Sequence, residues 1–202
     1  MALRAGVIAV QGDVAEHVEA VERAAERRDE QVEVVPIRES GHVPTCDVLA
    51  MPGGESTTIS RLLHEEGIAT EIVDHVEAGK PLLATCAGLI VAARETTEGS
   101  VRTLSLIDVT VERNAFGRQK ESFETMLSVG GIDDPVPAVF IRAPVVADVG
   151  DDVDVLAEYG DRIVALRDGP VTGLSFHPEL TTDTSIHERA LFDPASATSR
   201  TG

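Results

Sequence analysis

The stretch PLLATCAGLIVAA, residues 81–93, indicates the type of fold most directly. Its first part, Pro81 to Thr85, is a short apolar run typical of a buried strand, and the part that begins at Cys86 favours a helix. A thiol therefore lies where a buried strand turns sharply into a helix. This succession is typical of the nucleophile elbow of α/β enzymes, with cysteine in place of serine.

The sequence before this stretch alternates between strand and helix patterns. Strands are predicted at 5–10, 31–37 and 47–51, and helices at 13–28, from 56 onward and at 68–77. Alternation of this kind predicts a parallel sheet with helices on its faces. In such sheets the reactive groups gather at the carboxyl ends of the strands.

From about Leu104 the pattern changes to short strands separated by Gly, Asp and Pro turns, which predicts added antiparallel strands. The predicted segments are strands at 104–112, 122–129, 138–141, 153–158, 162–166 and 171–176, and a helix at 184–192. We expect one domain over residues 1–192 and a frayed tail at 193–202.

The composition excludes several classes of function. The chain has 202 residues and a formal net charge of −18, which argues against a nucleic-acid or anionic-membrane binder because phosphate groups are held mainly by Lys and Arg. No apolar run reaches the roughly 18 residues of a membrane span, and the amino terminus lacks a signal-peptide pattern. These features predict a cytoplasmic protein, and the excess of carboxylates suggests a high-salt cytoplasm.

Cys46 and Cys86 are the two cysteines. Neither has a Cys or His partner at zinc-site spacing, so we expect no metal. A disulfide scaffold is equally unexpected. Cys86 is the candidate nucleophile because a helix amino terminus favours the thiolate and its neighbours are small. The alternative is a buried structural cysteine, and Ala84, where elbows more often have glycine, leaves the tightness of the turn open.

The sequence offers His177 and Glu179 as the base and the residue that orients it. Both follow the predicted strand at 171–176, and Pro178 restricts the backbone between them. If that segment is extended, the two side chains point the same way. A carboxylate on one ring nitrogen leaves the other to take a proton from a thiol. The alternative is a turn histidine beside a solvated glutamate.

Two further segments carry candidate binding groups. The adjacent Gly53 and Gly54, at a predicted strand end, are suited to turning backbone N–H groups toward an anion, although an ordinary turn and helix cap is the alternative. Arg113 and Arg142 lie beside apolar strands in an acidic chain, where either could clamp a substrate carboxylate or balance nearby acidic residues.

Taken together, the motifs resemble those of the glutaminase subunits of pyridoxal 5′-phosphate synthase, within the class I, triad-type glutamine amidotransferases. The resemblance covers the chain from about Ala5 to Leu191. Its motifs are Val10 to Gly12, Pro52 to Thr58, Thr85 to Ile90, Val111 to Gln119, Phe140 to Pro144 and Ser175 to Leu180. The segment 111–119 narrows the match to this family within the class.

The resemblance implies a flavodoxin-like, three-layer α/β sandwich with a mostly parallel central sheet. It also implies hydrolysis of L-glutamine to glutamate and ammonia, and delivery of the ammonia to a separate synthase subunit. No cofactor is expected. The residue roles that it implies are a catalytic triad of Cys86, His177 and Glu179, glutamine contacts from Gly54, Glu55, Ser56, Arg113, Ile141 and Arg142, an oxyanion hole formed by Gly53, Gly54 and Ala87, and coupling to the partner through Gln11.

Other interpretations stay open from the sequence. One is a glutaminase that serves a different synthase, such as the one that forms imidazole glycerol phosphate. Another is an interaction subunit whose triad no longer works, against which the intact Cys86, His177 and Glu179 argue. A third is a cysteine peptidase or a thiol stress protein built on a similar sheet.

Overall fold

A seven-stranded sheet forms the centre of the molecule. The computed structural model describes residues 2–113 and 122–193. The strands of this sheet are β1 (Leu3–Ile8), β2 (Val32–Ile37), β3 (Val48–Met51), β4 (Leu82–Thr85), β10 (Asp154–Tyr159), β11 (Arg162–Asp168) and β12 (Val171–Leu174). Their spatial order is β10-β11-β12-β4-β3-β1-β2.

The five strands from β12 to β2 are parallel, whereas β10 and β11 add an antiparallel edge. Strands β3 and β4 are buried along their whole length, as expected for parallel strands that are covered on both faces. The carboxyl ends of β1, β3, β4 and β12 therefore meet at one edge of the sheet, where the predicted site residues lie.

Helices cover both faces of the sheet. They are α1 (Val14–Arg27), α2 (Ser56–Glu65), α3 (Ile68–Glu77), α4 (Ala87–Ala92) and α5 (Ser185–His187), which continues as a π-helical turn over Glu188–Phe192. Helices α2, α3 and α4 pack on one face around Leu63 and Ile72. Helix α1 and the carboxyl-terminal turn pack on the other, around Val21 and Phe192. This confirms the predicted three-layer α/β class.

The remaining strands lie outside the central sheet. Strands β5 (Ala93–Thr96), β6 (Ile107–Glu112) and β9 (Val145–Val149) form a three-stranded sheet, and β7 (Phe123–Leu127) pairs with β8 (Val136–Phe140). The sequence analysis missed β5 and β9. Strand β5 follows α4 directly, and the predicted helix that begins at Cys86 included only its first residue, Ala93, whose apolar side chain continues the helical run.

The end of the chain differs from the predicted continuous helix at 184–192, because a short α-helical turn passes into a π-helical one there. Asp193 is held by Arg28 at 3.0 Å, and the rest of the predicted frayed tail lies outside the described residues. Within 2–113 and 122–193, none of the helices is long and apolar enough to cross a membrane.

Candidate active site

Cys86 lies in the sharp turn between β4 and α4. Its backbone has φ +50° and ψ −110°, a left-handed conformation that L-residues rarely adopt and that costs about 1–3 kcal/mol. The turn is held by a hydrogen bond from the N–H of Cys86 to the carbonyl of Leu174, at 2.8 Å. A Cβ on Gly88 would lie 2.2 Å from the carbonyl oxygen of Met51. The small residues around the thiol are therefore required by close backbone approach.

His177 and Glu179 meet directly. The imidazole Nδ1 lies 2.6 Å from Oε1 of Glu179, and both side chains are buried. The reason differs from the predicted one, because β12 ends at Leu174 and residues Pro178–Leu180 form a 3₁₀ turn. The tight turn, rather than an extended chain, brings the two side chains together.

The pair is electrostatically coupled to the thiol. Burial alone would lower the pKa of His177, but its interactions with Cys86 and Glu179 outweigh burial and raise that pKa to about 10. Burial would raise the pKa of Glu179, whereas contacts with His17 and His177 hold it well below the ordinary value. The arrangement favours an imidazolium beside the Glu179 carboxylate.

The glycine loop that follows β3 packs against these residues. A Cβ on Gly53 would lie 2.8 Å from Cε1 of His177 and 3.3 Å from Cβ of Cys86, so only glycine fits there. Gly54 has φ +151°. The structure thus brings Gly53 to the thiol and the imidazole, and Ala87, the first residue of α4, directly follows the thiol.

The Gln11–Gly12 segment braces the glycine loop. The side-chain Oε1 of Gln11 accepts a hydrogen bond from the backbone N–H of Glu55 at 2.8 Å. A Cβ on Gly12, whose φ is +110°, would lie 1.8 Å from the carbonyl oxygen of Gly53. Any shift of the Gln11–Gly12 segment therefore reaches the loop that borders the thiol.

The predicted substrate contacts occupy two places. Glu55 caps α2 through the N–H groups of Thr57 and Thr58, and Ser56 is buried as the first residue of that helix. Arg113 contacts Glu55 at 3.5 Å. Arg113 is thus placed near the glycine loop, while most of the predicted 111–119 segment lies outside the described residues.

Ile141 and Arg142 lie on the thiol side of the site. The carbonyl oxygen of Ile141 is 3.9 Å from Sγ of Cys86. Arg142 is exposed and has φ +47°, a strained conformation immediately after that carbonyl. The segment that follows β8 thus lies beside the Cys86 thiol.

The sequence analysis missed His17, a buried side chain of α1. Its Nε2 lies 3.4 Å from Oε1 of Glu179 and 3.1 Å from Oγ1 of Thr85. The valines at 14, 18 and 21 predict the apolar face of α1, and Val21 is buried there. The rest of the buried face is formed by His17, Ala20, Ala24 and Ala25. A histidine at helical spacing from those alanines was the available signal.

Asp13, which the sequence predicts as the residue that caps α1, does not cap that helix with its side chain. It occupies the N-cap position of α1 without a side-chain capping hydrogen bond, and its Oδ2 lies 3.9 Å from Nδ1 of His177. Asp13, His177 and Glu179 bring possible metal-ligand atoms within 4.8 Å of one another. The Nδ1 of His177 already bonds to Glu179, so we assign no metal to this group.

Cys46, the other thiol, is unsuited to this chemistry. It is buried just before β3, at the edge of the sheet opposite the site. Burial raises the pKa of the Cys46 thiol, which keeps the sulfur protonated and weakly nucleophilic. A lone cysteine is either a nucleophile or a buried structural residue, and Cys46 fits the second interpretation.

Both the sequence and the structure are similar to those of known proteins. The sequence matches the SNO glutamine amidotransferase family over residues 7–192. It is 66% identical over 96% of its length, and 98% of the relative's, to the Haloarcula marismortui protein named pyridoxal 5′-phosphate synthase subunit PdxT. A Halobacterium salinarum protein of the same name is 61% identical over 96% of this chain and 95% of the relative. A solved structure described as a glutamine amidotransferase superposes with a TM-score of 0.81 at 45% identity, covering 91% of this chain and 95% of the other.

Proposed function

The chain belongs to the SNO glutamine amidotransferase family, and on this premise we propose that it is the glutaminase subunit of a pyridoxal 5′-phosphate synthase. It hydrolyses L-glutamine to glutamate and ammonia and passes the ammonia to a synthase subunit. The observation that supports this most is the Cys86 elbow beside a His177–Glu179 hydrogen bond of 2.6 Å. The names of the haloarchaeal relatives support the choice of synthase.

Cys86 is the nucleophile in this proposal. His177 takes the proton of the thiol, the sulfur attacks the carboxamide carbon of glutamine, and a tetrahedral intermediate with a negatively charged oxygen forms. His177 donates a proton to the nitrogen, ammonia leaves, and a thioester remains on Cys86. His177 then takes a proton from water, whose oxygen attacks the thioester and releases glutamate. Glu179 keeps the imidazole oriented and balances its positive charge.

Backbone N–H groups of Gly53, Gly54 and Ala87 are the proposed oxyanion hole. Removing one donor from such a hole typically raises the barrier by about 2.7–4 kcal/mol. Because Gln11 and Gly12 contact this glycine loop, a partner that moves the Gln11–Gly12 segment would change the number of donors aimed at the substrate. We propose that the synthase subunit controls hydrolysis in this way.

Glutamine itself is bound by the groups around the loop. Arg113 and Arg142 are the candidates for its α-carboxylate, since guanidinium groups bind carboxylates in a bidentate manner. Gly54, Glu55, Ser56 and Ile141 complete the proposed pocket. The reaction needs no metal or organic cofactor, because the thiolate and the imidazolium supply both the nucleophile and the acid. The cytoplasm remains the predicted location.

Ammonia release from L-glutamine in high-salt buffer tests the proposal. Wild type and Cys86→Ala are compared with and without the pyridoxal 5′-phosphate synthase partner. Release that the partner stimulates and that the substitution abolishes is the expected result. Stimulation only by the imidazole glycerol phosphate synthase partner would refute the choice of synthase. Absence of release under every condition would refute the enzyme.

A further inference from the structure

His17 of α1 contacts Glu179 of the proposed triad and Thr85, which precedes Cys86. Its Nε2 lies 3.4 Å from Oε1 of Glu179 and 3.1 Å from the hydroxyl of Thr85, the residue before Cys86. The side chains of His17 and Glu179 are fully buried. One imidazole thus links the strand that carries the nucleophile to the turn that carries the carboxylate.

Both histidines approach the same oxygen, Oε1, of the Glu179 carboxylate. His177 binds Oε1 at 2.6 Å, and His17 approaches the same atom. Within residues 2–113 and 122–193, Oε2 of Glu179 is buried without a hydrogen-bond partner. A buried carboxylate needs donors to remain charged, so without His17 the side chain of His177 would be its one remaining side-chain donor among the described residues.

We infer that His17 is a positioning residue of the triad. The tautomer with its proton on Nε2 shares that proton between Oε1 of Glu179 and Oγ1 of Thr85, which fixes the carboxylate in the plane from which it orients His177. This inference rests on the proposed function, because it assigns His17 to the same triad. His17 itself does not contact the substrate.

His187 provides a matched control for the loss of a buried imidazole. Its ring centroid lies 6.1 Å from that of His17, and it is equally buried. In the part of the chain that the structure describes, neither of its nitrogens has a hydrogen-bond partner. His187→Leu therefore removes a buried imidazole close to His17 without removing a hydrogen-bond donor to Glu179.

The test compares His17→Leu, His17→Gln and His187→Leu in the complex with the synthase partner. Leucine removes the donor, and glutamine keeps an N–H near the position of Nε2. We expect His17→Leu to lower kcat about tenfold to a hundredfold, the usual range for a hydrogen bond to a charged group. KM should stay within about threefold, because glutamine binding is not affected. His17→Gln and His187→Leu should stay close to wild type.

The pH profile separates a donor from mere packing. The ionisable groups around His17 and Glu179 are His177 from the segment after β12, Asp13 at the start of α1, and His187 from α5. The charge of Arg23 on α1 lowers the pKa of His187. Without the His17 donor the pKa of Glu179 rises, so the acid side of the kcat/KM profile should move to higher pH in His17→Leu alone.

Alkylation of Cys86 by iodoacetamide, followed by mass spectrometry of the Cys86 peptide, gives a readout that needs neither glutamine nor the partner. If wild type releases no ammonia, the proposed function fails, and the pH profile of alkylation still tests His17.

Unchanged kcat and pH profile in His17→Leu would overturn the inference, as would an equal loss in His187→Leu or in His17→Gln. If His17→Leu does not fold, His17→Asn, whose amide is too short to reach Glu179, replaces it, and equal rates for Asn and Gln would overturn the inference.

Discussion

Glycine at position 53 is a steric requirement of the active site. A Cβ there would press on Cε1 of His177 at 2.8 Å and on Cβ of Cys86 at 3.3 Å. The ring of His177 cannot move away easily, because it is hydrogen-bonded to Glu179 and the side chain is buried. Glycine therefore lets a backbone loop approach the side chains of both Cys86 and His177 at once.

Replacing Gly53 with alanine tests this close approach. We expect kcat for glutamine hydrolysis to fall about a hundredfold, since a misplacement of about 1 Å at a catalytic group can cost that much. Gly130→Ala is the control, because its added Cβ would meet Leu156 at an ordinary 3.5 Å. Steady-state kinetics and a thermal melt of both variants separate the two effects. Equal activity in the two variants would contradict the steric role of Gly53.

At the scale of elements, Glu55 connects a helix to the proposed binding site. Its carboxylate accepts hydrogen bonds from the N–H groups of Thr57 and Thr58 at 3.2 and 2.8 Å and so caps α2. Hydrogen bonds from the hydroxyl groups of those residues lower the pKa of Glu55 to about 2, although the side chain is half exposed. Arg113 contacts the same carboxylate. The side chain is thus already engaged in orienting the helix that follows the glycine loop.

Glu55→Gln should lower the free energy of unfolding by about 1 kcal/mol, the typical value of an N-cap. Because the folded-state pKa lies below the unfolded one, the contribution of the carboxylate is present above pH 4.5 and is lost as the pH falls toward about 2. Glu65→Gln, which removes an exposed ion pair with Arg61 at the other end of α2, should cost about 0.5 kcal/mol or less. Denaturant unfolding at neutral and acidic pH measures both, and a larger cost at Glu65 would contradict the capping role.

At the scale of the whole molecule, charge is the dominant feature. A net charge of −18 on 202 residues means that carboxylates repel one another over most of the surface. Helix α1 illustrates this, since Glu22 and Glu26 are exposed one turn apart. Salt screens such repulsion, with a Debye length of about 3 Å at 1 M against about 10 Å at 0.1 M. The haloarchaeal relatives fit the suggestion of a high-salt environment.

We therefore expect the melting temperature to rise with KCl concentration and the protein to unfold in dilute buffer. The double variant Glu22→Gln with Glu26→Gln should show a smaller dependence on salt, because it removes a like-charge pair worth about 0.2–0.5 kcal/mol. Thermal melts across a KCl series measure the slope for each protein. Full stability of the wild type in dilute buffer would refute the expectation.

The sequence alone predicts the α/β architecture and the candidate residues for the chemistry. Alternating strand and helix patterns predict the parallel sheet, and the parallel direction sends Cys86, His177 and the Gly53–Gly54 loop to one edge. Local patterns also fix the elbow, because small residues on both sides of Cys86 permit the turn. These features follow from periodicity and from residue size, which are local properties of the chain.

The support of the Glu179 carboxylate and the contact between the Gly12 and Gly53 loops depend on tertiary packing. His17 is far from Glu179 in the sequence, and its role depends on how α1 packs against the segment after β12. The contact of Gly12 with Gly53 likewise depends on the meeting of two separate strand ends. Strand β9 was missed because its pairing with β6 stabilises a segment whose own pattern is weak. Such contacts arise from packing between distant segments: helical spacing indicates that His17 is buried, but not which side chain it meets there.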